Sequence, residues 1–584
     1  MNDSSSSAPE ICFVFVCQQG ELELKALLLA LSLKRHLRFH AELVAAVPSG
    51  IAEWGEPGVG TLEALEALGV RVERVVNPFG SAYPIGNKLA CLGIPTSARR
   101  LVFLDSDIVA VRDLVDPQLF VKHSFLSAKP ADLASVPAGR DFWEAAYALF
   151  GLSLPADRMT ASVTGELMPP YFNAGCLSVN VGTDFAEVWK DTALVIDNAQ
   201  VLPAQYRVHL DQVSLSIALA RAGVTYSCVS EEINYPAHLK PLNPGRPPLL
   251  VHYHWPSVLR REPLLRQEAV ACVSGCAHSV RLIQQSEDWL PLLIHARRRA
   301  GSGVTVEPTA EPWPDAFLTG IPRSGTSFLC NAFHKLNDCV AINEPREIFL
   351  HLAQERTAWG LATYHLDLRR DILEGKAIEN KVDGNEVVTD TKVIDSRQFY
   401  RPMVSHERFV LMTKNTLAYL ARIEKIHSVM PHATLFACIR HPVDTVMSWE
   451  GSFPHLANVT LAEWPIGGLC DDGLTGWRRG TLQKIERQEH PLVKRALLWN
   501  YLARLIIDSS HLLNIIRYEN LVSDPMSTVA AMHELITGRQ PSGYSNEIKR
   551  SVPRVYANAI AAEQRDIVSR VCCQTAWELG YVIN

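Results

Sequence analysis

The chain has 584 residues, 47% hydrophobic and 20% charged, a composition that suits a globular protein with large buried cores and a length that predicts two to four domains. With 56 Lys and Arg against 62 Asp and Glu the net charge is −6, which excludes the global basic field that nucleic acids or anionic membranes attract. No apolar stretch approaches the length of a bilayer span, and the Ser-rich start lacks the basic segment of a signal peptide. Residues 1–9 therefore read as a disordered tail. The 13 cysteines are an odd number with no paired Cys-x-x-Cys pattern, and they read as reduced, mostly buried thiols of a cytoplasmic protein.

Strands and helices alternate from the amino end. Ile11–Val16, Ala41–Val47 and Arg71–Val76 are runs of strand length, with Glu21–His36 and Thr61–Leu68 as helices between them. That βαβ rhythm predicts a parallel sheet with covered faces. Asn87-Lys88 precedes the next strand, Leu101–Leu104, which runs straight into Asp105-Ser106-Asp107. Two carboxylates at a strand end offer oxygen ligands to a hard divalent cation at the rim where α/β sheets bind ligands. By itself an Asp-x-Asp also suits a solvated loop. Its surroundings favour a site: Phe172-Asn173-Ala174-Gly175 leads into the apolar Cys176–Val179, Asp211-Gln212 opens a helix, and 249–255 reads as a strand carrying His252 and His254. An imidazole can complete a carboxylate site for Mn²⁺, and His252 is the expected ligand by position, with His254 the alternative. A basic triplet followed by Gly, Ser and three prolines marks residues 297–314 as a linker, which leaves 10–296 and 315–584 as domains.

The second half opens with a buried strand, Ala316–Gly320, then Gly320-Ile-Pro-Arg323-Ser324-Gly325-Thr326-Ser327, then a helix from Ser324 to Leu336. Gly320, four residues, Gly325 is the spacing of a nucleotide-triphosphate phosphate loop, whose backbone N–H groups cradle an anion. Thr326 stands where that loop needs Lys, and the cation of the octet is Arg323. The loop can hold an anion but is poorly equipped for triphosphate chemistry. Val340–Ile342, a short strand, leads to Asn343-Glu344-Pro-Arg-Glu347, and Leu411-Met-Thr-Lys414 precedes a further helix. Leu435–Ile439 is followed by Arg440-His-Pro-Val-Asp444, with Ser448 two turns on. Pro442 suits a first helical turn, so Arg440 and Ser448 should meet at one strand end.

Gly-x-Pro-Arg-Ser-Gly-Thr-Ser and Arg-x-Pro-x5-Ser, supported by the Lys414 strand and by Arg517-Tyr-Glu-Asn-Leu-Val-Ser-Asp-Pro525, resemble the sulfotransferases that use 3′-phosphoadenylyl sulfate (PAPS). The resemblance covers residues 313–584 and implies a parallel sheet. It implies that Arg323, Ser324, Gly325, Thr326 and Ser327 hold the 5′-phosphosulfate and that Arg440 and Ser448 hold the 3′-phosphate. Arg323 would stabilise the leaving phosphate. Glu344 would be the general base, with Glu347 its competitor, and burial should raise the Glu344 pKa. Asn87-Lys88, Leu104–Asp107, Phe172–Gly175, Asp211-Gln212 and His252, in that order over residues 10–260, resemble GT-A glycosyltransferases of family 8. This implies a Rossmann-like nucleotide-sugar domain in which Asp105, Asp107 and His252 hold Mn²⁺ or Mg²⁺ against a nucleotide diphosphate, UDP-linked by analogy. Asn87, Lys88, Asn173, Ala174, Gly175, Asp211 and Gln212 would bind the donor, and the anomeric outcome would be retention. One departure stands out: the family follows its late His with Gly and Lys-Pro-Trp, whereas this chain has His252-Tyr-His-Trp-Pro256. The combined expectation is an α/β protein of two domains that modifies a glycan or glycolipid by glycosyl and sulfuryl transfer, with homo-oligomer formation left open. The rival reading keeps the sulfotransferase and reduces the amino-terminal half to glycan binding.

Overall fold

In a computed structural model the chain folds as two α/β units, residues 1–310 and 311–584. The structure describes residues 9–50, 54–120, 123–134, 140–293, 311–354, 357–383, 386–391, 397–464, 474, 476–544, 548, 555–556 and 560–583. The expected tail, 1–8, and most of the expected linker, 297–310, lie outside the described residues. Among the described residues no helix is long and apolar enough to cross a membrane.

The first unit is built on a seven-stranded sheet. From edge to edge the strands are Tyr226–Cys228, Leu126–Pro130, Phe172–Asn180, Arg100–Leu104, Ile11–Val16, Ala41–Pro48 and Arg71–Val75. The central strand Ile11–Val16 is buried along its whole length. Its alternate residues serve opposite faces, as a pleated strand requires. Ile11, Phe13 and Phe15 pack with Leu27 and Leu33 of the helix Glu21–His36, while Cys12, Val14 and Val16 join Trp189 and Val213 of the helices Phe185–Ala199 and Leu210–Ala222. The strands expected from the βαβ rhythm run parallel: Ile11 lies opposite both Ala41 and Arg100. The sheet as a whole is mixed, because Phe172–Asn180 runs antiparallel between Arg100–Leu104 and Leu126–Pro130. An interior strand is apolar whichever way it points, so its composition carries no signal of direction.

A second, three-stranded sheet decides the site. Leu250–His252 pairs antiparallel with Ile108–Ala110, placing His252 opposite Ile108, and parallel with Tyr235–Pro236. The chain thus returns from residue 252 to the turn that follows Leu104. The strand is shorter than expected. It ends at His252, and His254 sits beyond it at φ +57°.

The second unit carries a five-stranded sheet, ordered Cys339–Asn343, Val410–Lys414, Asp315–Gly320, Thr434–Ile439, Leu513–Arg517, and every pairing is parallel. All five carboxyl ends therefore share one rim, the edge at which open α/β sheets bind ligands. At the far end of the central strand, buried Asp315 pairs with Arg369 at 2.7 Å, and the guanidinium lies 5.0 Å from the Trp313 ring. Removing either partner of such a buried pair costs about 3–5 kcal/mol. At the rim, Gly320 has φ +146°, and a Cβ there would lie 2.3 Å from the Cys438 carbonyl oxygen. Only glycine lets the loop leave the sheet this close to the neighbouring strand.

Candidate active sites

In the first unit the sheet fixes the Asp-x-Asp turn by its backbone. The Asp105 N–H donates to the Gly175 carbonyl at 2.8 Å, and the Asp107 carbonyl accepts from Tyr253 N–H at 3.0 Å. The Ser106 hydroxyl donates to the Val16 carbonyl at 2.5 Å. Gly175 has a second task. A Cβ there would come within 2.9 Å of the His252 ring, so the absence of a side chain leaves room for the imidazole.

His252 Nε2 lies 2.9 Å from Asp107 Oδ1 and 3.9 Å from Asp105 Oδ2. Both ring nitrogens of His252 are nonetheless buried without a hydrogen-bond partner. Ring nitrogen and carboxylate oxygen thus lie close enough to share a cation. His254 Nδ1 is 3.5 Å from Asp107 Oδ2, and its ring stacks on that of His252 at 4.2 Å. Asp107, His252 and His254 bring one ligand atom each within 4.8 Å of one another, a donor set that fits a divalent cation. Asp105 stands outside this cluster. Lys88 Nζ lies 3.1 Å from Asp105 and 2.9 Å from Asp211, so the expected trio of Asp105, Asp107 and His252 becomes two carboxylates with different partners.

The electrostatics follow. Burial alone would raise the Asp107 pKa, but His252, His254 and Lys25 outweigh it and hold the carboxyl well below its ordinary range. Burial raises that of Asp105 against the opposing charge of Lys88. Burial, then the neighbouring His252, pushes His254 down to about 3. Burial works against a charged His252, yet Asp107 and Asp105 draw its pKa up.

The other expected donor residues divide by role. Asp211 is buried, bonded to Lys88 and to the Tyr83 hydroxyl at 3.3 Å. The Asn87 side-chain amide donates to Gln18 at 3.2 Å and its oxygen accepts from Asn77 at 2.9 Å. Asn173 is spent internally: its amide donates to Asp132 at 2.7 Å, and its oxygen accepts from Gly175 N–H and from Asn234. Ala174 is buried, and Gln212 is half-buried on the helix Leu210–Ala222. His238 carried no sequence signal. Its ring meets that of His254 edge-on at 4.0 Å.

In the second unit a cavity of about 600 Å³ opens at the carboxyl rim. It joins Arg323, Gly325, Thr326 and Ser327 of the loop with Glu344, Arg440 and Ser448. Its lining runs from Pro322 to Val522, segments up to 200 residues apart that meet because all the strands end on one edge. Ser324 does not line it, since its hydroxyl donates to the Ile321 carbonyl at 2.5 Å and the Cys438 carbonyl at 2.9 Å. Gly325 takes φ +86°, and a Cβ there would meet the Tyr518 ring at 2.8 Å. The helix after the loop spans Thr326–His334, so its first N–H groups face the cavity rim. Arg440 is buried, donates to the Arg323 carbonyl at 3.2 Å and stacks on Tyr518 at 4.4 Å. Arg323 forks onto Asp390 at 2.7 and 3.0 Å. Asp390 is a neighbour that no motif announced.

Glu344, at φ +54°, is held by two ammonium groups. Lys414 Nζ reaches Oε1 at 2.6 Å and Lys381 Nζ reaches Oε2 at 2.5 Å. Lys414 also donates to the Ser327 hydroxyl at 3.2 Å. Burial acts to raise the Glu344 pKa, as the sequence led us to expect, but Lys414 and Lys381 overcome it and bring the value to about 2. The expected rise is therefore corrected to a fall. The reason is that burial here comes with two counter-charges rather than with apolar walls. Glu347 instead begins the helix Glu347–Gln354 and lies 3.4 Å from the Tyr364 hydroxyl.

Comparison with known proteins finds one matching family in each unit. Residues 13–223 match a Rhodobacterales glycosyltransferase domain, and residues 314–537 match a sulfotransferase family. Similar solved structures include mouse xyloside xylosyltransferase 1 in its apo form (13% identity, 42% of this chain and 97% of that one, TM-score 0.27). A galactosyltransferase, LgtC, with donor and acceptor sugar analogues (14%, 51% and 98%, TM-score 0.28) and the WbbM bifunctional glycosyltransferase (16%, 49% and 53%, TM-score 0.30) are also similar. No curated protein matches the chain. A region of the first unit thus matches a glycosyltransferase family and a region of the second a sulfotransferase family, and both families are of transferases. The pairing of the two matches supports a bifunctional carbohydrate-modifying enzyme.

Proposed function

We propose that residues 315–584 transfer a sulfuryl group from PAPS to a hydroxyl of a glycan or glycolipid, and that residues 10–296 transfer a sugar from a nucleotide sugar, with 297–314 joining the two in a cytoplasmic protein. The observation that carries the first half is the single cavity in which the phosphate loop, Arg440, Ser448 and Glu344 meet. Backbone N–H groups at the start of the helix Thr326–His334, with Thr326 and Ser327, suit the 5′-phosphosulfate. The buried guanidinium of Arg440, with Ser448, suits the 3′-phosphate. An acceptor oxygen forms a bond to sulfur as the bond from sulfur to the phosphate oxygen breaks. The electron pair leaves with adenosine 3′,5′-bisphosphate, and the hydroxyl proton passes to Glu344. Arg323 in the loop and Lys414 beside it stand where negative charge grows on the departing phosphate.

In the first unit Asp107, His252 and His254 would hold the cation, and two imidazoles with one carboxylate favour Mn²⁺ over Mg²⁺. The cation would supply Lewis-acid stabilisation of a leaving diphosphate. Lys88 and Asp211 form a charged wall beside it that suits the donor's polar groups.

Thermal shift with a nucleotide panel tests both halves, since a ligand that binds the folded state alone raises Tm. PAPS and adenosine 3′,5′-bisphosphate should stabilise the protein and ADP much less. UDP or a UDP-sugar should do so only with Mn²⁺. Equal shifts with ADP would sink the sulfotransferase assignment. A UDP response indifferent to Mn²⁺ would sink that of the metal.

A further inference from the structure

We propose that Lys381 is a positioning residue for sulfuryl transfer: it holds the outer oxygen of Glu344, so that the carboxylate stays in place when Lys414 turns to the donor. This rests on the reading of Glu344 as general base. Glu344 offers two oxygens, and each takes one ammonium, Lys414 on Oε1 and Lys381 on Oε2. The two lysines are not equivalent. Lys414 ends the strand Val410–Lys414 beside the phosphate loop and already contacts Ser327 of that loop at 3.2 Å. Lys381 lies on the other side of the carboxylate and reaches it by a different route.

That route is built by a buried amide. The Asn380 side-chain oxygen accepts both Asn343 N–H and Lys381 N–H at 2.8 Å, and its nitrogen donates to the Ala341 carbonyl at 3.0 Å. Asn380 thereby fastens the end of the strand Ile378–Asn380 to the end of the strand Cys339–Asn343. The next residue on each is Lys381 and Glu344. The Val388 N–H, donating to the Lys381 carbonyl at 3.0 Å, closes the segment from behind. Lys381 is almost wholly buried although it lines the cavity. Burying an ammonium is costly without a partner, and the Glu344 carboxylate is one such partner.

The chemical consequence concerns timing. A carboxylate that shares two ammonium groups is a weak base, its pKa near 2. Once an anionic donor draws Lys414 toward its own oxygens, one ammonium remains on Glu344 and the carboxylate regains affinity for a proton. Lys381 then keeps the carboxylate aimed, and Glu344 becomes basic when the donor is in place. The acceptor proton moves to the oxygen that Lys414 has left.

The test needs no acceptor. Carbodiimides modify protonated carboxyl groups, so the labelling rate of Glu344, read by peptide mass spectrometry across pH 5–7, reports its protonation. Lys381→Met should label Glu344 several-fold faster than the parent at pH 5, while Lys381→Arg should label at the parent rate. Buried Asp315 is the folding control in every variant. If Lys381→Met also exposes Asp315, Lys381→Gln is measured in its place. In the parent, saturating adenosine 3′,5′-bisphosphate should speed Glu344 labelling, because it competes for Lys414. Equal Glu344 rates in Lys381→Met, Lys381→Gln and the parent, with Asp315 protected, would overturn the proposal. Absence of any thermal shift with adenosine 3′,5′-bisphosphate would instead sink the sulfotransferase reading beneath it, and the two failures are thus distinguishable.

Discussion

Arg440→Ala should separate recognition of the 3′-phosphate from binding of the nucleotide in general. The guanidinium is buried, stacked on Tyr518 at 4.4 Å and braced on the Arg323 carbonyl at 3.2 Å, so it reaches the cavity with little freedom left to lose. A hydrogen bond to a charged partner contributes about 1.5–3 kcal/mol. At about 1.36 kcal/mol per decade this is a loss of roughly 10- to 160-fold in affinity for adenosine 3′,5′-bisphosphate. The brace on Arg323 is lost as well, and that weakens the loop for any adenine nucleotide. The ratio of the two Kd values, for adenosine 3′,5′-bisphosphate and for ADP, cancels this common part. Isothermal titration of both ligands against parent and variant gives the ratio directly. It should collapse toward one in Arg440→Ala and fall part of the way in Arg440→Lys, which keeps the charge but not the fork. A variant that discriminates as well as the parent would refute the assignment of Arg440.

Three further outcomes are expected. Asp105→Asn/Asp107→Asn should abolish Mn²⁺-dependent stabilisation by UDP and leave adenosine 3′,5′-bisphosphate binding intact, with thermal shift as the readout; loss of both from a folded protein would couple the units more tightly than two separate sites allow. Glu344→Gln should keep nucleotide affinity and lose sulfuryl transfer by about 10²–10⁴-fold, with a smaller loss in Glu347→Gln; the reverse order in measured turnover would move the base three residues along. Half-buried His334, whose Nδ1 accepts the Ala341 N–H at 3.1 Å, has its pKa pushed down to about 4 by desolvation of the ring, so the unfolded chain binds a proton that the folded chain refuses between that value and about 6.5. This contribution to stability is present above pH 6.5 and declines as pH falls, by about 2 kcal/mol from pH 7 to pH 5, so denaturant titrations at the two pH values should differ less in His334→Gln than in the parent, and identical differences would contradict the assignment.

What could be read in the sequence was whatever a local pattern encodes. The strands Ile11–Val16 and Thr434–Ile439 are apolar runs closed by polar residues, and the phosphate loop declares itself by two glycines at positions where a Cβ would meet the neighbouring strand or the Tyr518 ring. The order of Asp105, Asp107 and His252 was legible, but their division between Lys88 on one side and His254 on the other was not. That division depends on a second sheet whose strands lie more than 120 residues apart. Lys381 and Asp390 sit in short hairpins and turns with no periodicity and no motif, and only the fold brings them to Glu344 and Arg323. The direction of the Glu344 shift was missed for the same reason. Burial can be inferred from a strand-end position, whereas the counter-charges that reverse its effect come from elsewhere in the chain.

The hydrogen bond from Asp105 N–H to the Gly175 carbonyl lies between two interior strands. Solvent deuterium can reach that amide only if the strands part, so its exchange should follow opening of the sheet rather than the fast, local opening of ligand-binding loops. The carboxylate turn is in this sense part of the sheet. Sequence drift in the residues after His252 can then reshape what the first unit accepts without disturbing where Asp105 and Asp107 stand. The segment His252-Tyr-His-Trp-Pro256, where the sequence resemblance to family 8 glycosyltransferases breaks off, is a change that such a platform tolerates.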